Sequence, residues 1–193
     1  MFDVISILAW GITYILIVFS CKKQEGVPKR AIPLVPPLLN LSWELVALVH
    51  SQAFWGHIVW FGLSILVFDS CLMSITNLKK QLFYALLLGP IAILFSLIFM
   101  YGGMLVSSFA INVIMSICYW MDRRNLLEKR KILIATTKCI GTLAATIHYA
   151  PYSTGVAIMG IVIVVFDLMY LVFCIRENKD SKEKNKASLL FLI

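Results

Sequence analysis

Apolar residues in this chain come in long, nearly unbroken runs, not in the one-sided stripes of a soluble helix or the alternation of a half-buried strand. A membrane-spanning helix needs roughly 17–25 mostly apolar residues. Seven runs meet that length, at about residues 4–20, 37–54, 56–74, 82–100, 103–121, 132–150 and 156–175. The second is the least apolar and begins at the Pro33, Pro36, Pro37 cluster, where proline suits the first turn of a helix. Pro90, inside the fourth, predicts a kink. The connections are too short for a soluble domain. The pattern therefore predicts an all-α integral membrane protein, one seven-transmembrane-helix domain over residues 1–175 with a short polar tail over 176–193. The tail is expected to be mobile.

The basic residues test that pattern independently. Of the 17 Lys and Arg, 16 fall in alternate connections: four in loop 1–2, two in loop 3–4, five in loop 5–6 and five after the last run. The intervening loops carry none. By the positive-inside rule this places the N-terminus outside and the C-terminus in the cytoplasm. A cleaved leader is not expected, because the first residues carry no positive charge and no small-x-small site follows the first run.

Composition agrees. The chain is 61% hydrophobic and 14% charged, with a mean hydropathy of +0.90. Soluble domains run at about 45–50% and about 25%. The net charge of +7 is explained by topology and by contact with the lipid bilayer. No basic stripe interleaved with aromatics points to nucleic acid. The five cysteines all fall in the cytoplasmic half, where disulfides are not expected. No Cys or His spacing resembles a metal site.

Ionisable groups inside a membrane helix are costly and mark candidate sites. Glu44, Asp69, Lys138 and Asp167 qualify. With a rise of about 1.5 Å per residue, the predicted orientation puts all four in one layer of the cytoplasmic half. A cavity open to the cytoplasm would explain this. Alternatives stand beside it: Asp69 solvated near the headgroups, Lys138 snorkelling or paired with a carboxylate, and Glu44 and Asp167 as structural hydrogen-bonding groups. Asn40 and Glu44 are spaced i, i+4, and Ala47 and Ser51 continue that face with small side chains. Tyr170 shares a face with Asp167. Trp43, Phe68, Tyr119, Trp120 and Phe166 lie at the same level and also suit an interfacial aromatic belt. His50, His57 and His148 fall in the outer half, away from the acids. Asn112 reads as interhelical glue. No aspartate-rich pyrophosphate motif, HExxH or Ser-His pairing is present.

The segment Ile32-Pro33-Leu34-Val35-Pro36 through Asn40-Leu41-Ser42-Trp43-Glu44-Leu45-Val46, with Asp167-Leu168-Met169-Tyr170 and the following Phe173 and Arg176, resembles the integral membrane terpene cyclases of the paspaline-cyclase type. These act in meroterpenoid and indole-diterpene pathways. The match covers about a sixth of the chain, and the compact length is similar to that of bacterial members, which places the chain in a bacterial cytoplasmic membrane rather than the endoplasmic reticulum. The resemblance implies acid-initiated cyclisation of a hydrophobic prenylated substrate with no metal and no cofactor. It implies Glu44 and Asp167 as the acid/base pair, Glu44 the donor, with Asn40 orienting Glu44. Asp69 and Lys138 have no family counterpart. Hydrocarbon surroundings disfavour a charged carboxyl, so a buried acid can hold its proton. Aromatic faces then stabilise the migrating cation by roughly 0.5–2 kcal/mol each. Two further readings remain: a small seven-helix solute carrier using membrane carboxylates for substrate or protons, and a non-catalytic assembly protein whose buried charges pair helices.

Overall fold

The computed structural model describes residues 1–20, 35–50, 54–73, 77–121, 123 and 128–190. Cys21, Pro33 and Ser51 lie outside them. The described residues form six α-helices: α1 (Phe2–Ser20), α2 (Val35–His50), α3 (Phe54–Met73), α4 (Leu78–Met121), α5 (Glu128–Tyr149) and α6 (Thr154–Leu190). A 3-10 turn, Ala150–Tyr152, joins the last two. Four segments are long and apolar enough to cross a membrane: Phe2–Ser20, Lys79–Met121, Lys131–Tyr152 and Thr154–Asp180. His57–Met73 is a shorter apolar helix.

The expected count of seven separate spans is corrected at α4. The runs predicted at 82–100 and 103–121 follow each other within one element, α4, as two helices that meet at Gly103, whose backbone is non-helical at φ 74°, ψ 177°. That backbone region is open essentially to glycine alone. The break reverses the chain. Ser42 Oγ lies 3.4 Å from the Leu88 carbonyl, while the adjacent Trp43 Nε1 donates to Ser107 Oγ at 3.0 Å. A straight helix would hold residues 88 and 107 about 28 Å apart. Two antiparallel limbs therefore pack on α2, with Leu39 and Val46 meeting Phe95 of one limb and Ile111 and Met115 of the other. Pro90, where a kink was predicted, keeps helical backbone angles. Its missing N–H is tolerated inside a membrane helix bundle.

The segment after the last apolar run is helical. α6 continues through Leu190, because the segment is rich in Lys and Glu and holds no glycine or proline after Gly160. Lys179 and Glu183 approach to 4.0 Å one turn apart. Within the bundle, α6 buries Val156, Gly160, Ile163, Asp167, Tyr170 and Cys174. That alternation of four and three residues makes one stripe.

Small residues set how closely helices approach. A Cβ at Gly141 would stand 2.8 Å from Trp10 Cδ1 of α1. One at Gly160 would stand 2.8 Å from Thr146 Oγ1 of α5, and closer still to its methyl group. Thr13 and Thr137 hydroxyls bond at 2.8 Å between α1 and α5. Small residues and hydroxyl bonds of this kind hold helices together where lipid removes the hydrophobic drive. The central core joins Tyr14 and Ile17 of α1, Val67 and Cys71 of α3, Tyr119 of α4, Ile134 and Ala135 of α5, and Tyr170 and Cys174 of α6.

Candidate functional site

The structure brings Lys138 and Asp167 together and sets Glu44 apart from them. Helix α2 is described as far as His50 and α3 from Phe54; the expected stretch at 51–53 lies outside the described residues. Glu44 is buried, and its Oε2 lies 3.2 Å from His57 Nδ1 across the α2–α3 hairpin. Either group can donate in that contact, according to where the proton sits. His57, expected to stand apart from the acids, is thus the partner of one. Three residues of sequence separate His50 from Phe54, so residues near the end of α2 face residues near the start of α3. That pairing was readable once the helix ends were right.

Glu44 lines a cavity of about 200 Å³. Four aromatic side chains wall it: Trp10 and Tyr14 of α1, Trp43 of α2 and Trp60 of α3. Tyr14 sits edge-on to both neighbouring indoles, 6.1 Å from Trp10 and 5.5 Å from Trp60. Trp43 packs edge-on to His57 at 6.0 Å. The polar residues are few: Ser6, Asn40, Glu44, Ser108 and Asn112. Asn40 does not orient Glu44 as expected; its Nδ2 donates to Ser64 Oγ at 2.7 Å. Asn112 Nδ2 donates to the Ser108 carbonyl at 2.9 Å, and its Oδ1 is buried with no hydrogen-bond donor among the described residues.

The cavity is walled by α1, α2, α3 and the second limb of α4, yet α1 and α4 do not pack along each other. Ile7 of α1 lines the cavity and is also 53% exposed on the outside of the bundle.

Lys138 and Asp167 make a separate site. They are 1% and 2% exposed and form a buried ion pair between α5 and α6. Lys138 Nζ also donates to Ser116 Oγ of α4 at 2.7 Å. The rings of Trp10 and Tyr119 lie 5.6 and 5.3 Å from the same nitrogen, within cation–π range. Asp167 Oδ2 is buried with no hydrogen-bond donor among the described residues. A void of about 20 Å³ adjoins Lys138, enough for about one water. Trp10, Tyr14 and Asn40 line both this void and the large cavity, so they form the wall between the two charged centres.

The remaining predicted residues divide accordingly. Tyr119 borders the small void and packs edge-on to buried Tyr170 at 5.4 Å. Asp69 is exposed and Phe166 half-buried, and neither lines a cavity near Glu44 or Lys138. Trp120 stacks under Arg123 at 4.0 Å, away from both. Trp10, Tyr14 and Trp60 complete the site with His57 and carry no signal in the sequence, because aromatic residues in an apolar run have no periodic signature of a cavity. Among the described residues no group of three or more His, Cys, Asp or Glu could hold a metal ion. No protein-family model, curated protein or solved structure matches the chain.

Proposed function

We propose that this chain is a seven-traverse membrane protein, N-terminus outside and C-terminus cytoplasmic, that cyclises a prenylated meroterpenoid or indole-terpenoid substrate by protonating its epoxide or alkene from Glu44. Counting the two limbs of α4 separately gives the seven traverses. The observation that carries the reading is one buried carboxyl in a cavity whose lining includes four aromatic side chains, two isoleucines and only four other polar residues. An acid-started carbocation needs one proton donor, π faces along its path, and little water to quench it. Ile7 lines the cavity and is 53% exposed on the outside of the bundle, so an entrance beside it would suit a substrate dissolved in lipid. At about 200 Å³ the cavity is below the roughly 300–1,000 Å³ that encloses a whole drug-sized ligand, so it takes the reacting end of the prenyl chain. The resemblance of the Asn40 to Glu44 segment supplies the reaction class.

Asp167 takes a different part from the one expected. Bound to Lys138, it neutralises a buried cation on the far side of the Trp10–Tyr14–Asn40 wall. That pair favours a second reading, an assembly protein whose buried charges only lock helices together. Glu44→Gln separates the two. With an epoxidised prenylated substrate in membranes, loss of a general acid lowers the rate by about 10²–10⁴-fold. Unchanged cyclisation in that variant refutes the cyclase assignment.

A further inference from the structure

At the basic end of the bundle a groove of about 390 Å³ runs along the outside of α6, lined by Trp120, Leu168, Met169, Val172, Phe173 and Arg176. Leu168, Met169 and Val172 are each 40% exposed or more. The groove spans about 12 Å of helix from Leu168 to Arg176, the direction in which a lipid chain would lie. Its basic end carries two guanidiniums. Arg176 is exposed, and Arg123 lies 4.0 Å over the Trp120 ring and 5.3 Å over Phe173, both groove walls. Arg123 is held in place by a 2.7 Å bond from Nη1 to the Trp120 carbonyl, which leaves its Nε without a protein acceptor among the described residues. The nearby carboxylate of Glu177 is taken by Lys131. Among the described residues no carboxylate pairs with Arg123 or Arg176.

We propose that this groove binds one anionic phospholipid, its acyl chain along Leu168, Met169 and Val172 and its phosphate on Arg123 and Arg176. The guanidinium fork matches phosphate geometry, and an apolar groove ending in paired cations is complementary to a lipid with a charged head. A zwitterionic lipid such as phosphatidylcholine satisfies the groove, but its phosphate arrives with a cation of its own beside the two arginines and leaves their charge uncompensated. A free phosphate satisfies the arginines and not the groove.

The test is native mass spectrometry of the full chain, released from nanodiscs of equal phosphatidylglycerol and phosphatidylcholine. With about fivefold per arginine near the surface, the retained single lipid is expected to be phosphatidylglycerol by about thirtyfold. The preference falls to about fivefold in Arg176→Gln and disappears in R123Q/R176Q. Millimolar inorganic phosphate does not displace the lipid. Equal retention of both lipids by the unaltered chain, an unchanged preference in Arg176→Gln, or displacement by phosphate each overturns the proposal. Arg176 is exposed, so its variant is expected to unfold at the same denaturant concentration as the parent and decides the matter even if the double variant does not fold.

Discussion

Replacing Lys138 by Met leaves the Asp167 carboxylate 2% exposed, without its cation and with Oδ2 already lacking a donor. Breaking a buried pair by removing one partner costs about 3–5 kcal/mol, a large share of a total stability of about 5–15 kcal/mol. Asp167→Leu is expected to cost less. It leaves Lys138 its bond to Ser116 and two ring faces at 5.6 and 5.3 Å, each offsetting about 0.5–2 kcal/mol. The double change K138M/D167L removes both charges and keeps comparable volume, so it is expected within about 1 kcal/mol of the parent. The coupling between the sites should then reach about 3 kcal/mol. Reversible unfolding in mixed micelles, followed by circular dichroism as the denaturing detergent fraction rises, measures all four forms. Additive costs, with coupling below about 0.5 kcal/mol, refute the pairing. A stable double variant also permits a clean assay of Asp167: if cyclisation persists there, its carboxylate has no part in the chemistry.

Three further outcomes follow. His57→Phe strips Glu44 of its 3.2 Å partner and is expected to cost about 1–3 kcal/mol as an unsatisfied buried group, read in the same unfolding assay. Gly103→Ala forces a Cβ into φ 74°, ψ 177° and should cost about 1–3 kcal/mol; a cost near zero would mean the limbs of α4 do not turn there. Gly160→Ala drives a methyl into Thr146 and should cost about 1–3 kcal/mol, with part of the loss recovered in G160A/T146A.

Helix positions were legible because hydrocarbon length imposes a strong, simple pattern on sequence. The limits of α1, α3 and α5 lie within a few residues of the apolar runs. The turn at Gly103 was visible as a junction between two runs, but not as a single-residue break, since Gly102-Gly103 reads equally as a short loop. Glu44, Asn40 and Trp43 do meet at one cavity, and Lys138 and Asp167 do meet each other. What the residues alone could not give was depth. Counted from the run at 37, Glu44 stands seven residues in; α2 is described from Val35, two residues or about 3 Å earlier, and the contact with His57 depends on how α2 and α3 pack, which no count along one helix supplies. The pairing of Lys138 with Asp167 was one of several options for that lysine, and only packing of α5 against α6 selects among them.

The same pair bears on how the protein is made. Helix α5 has a mean hydropathy of only 1.2 over its span, the lowest of the four long segments. A lysine at the centre of a membrane helix costs about 2.5–3.5 kcal/mol on insertion scales. Its counter-charge lies on α6, 29 residues later in the chain, and so emerges from the ribosome afterwards. α5 is therefore expected to insert more readily once α6 is present, and a chain truncated before Asp167 to show a smaller inserted fraction of α5 in a glycosylation-site insertion assay. Biogenesis rather than the finished fold would then be the first casualty of losing that charge.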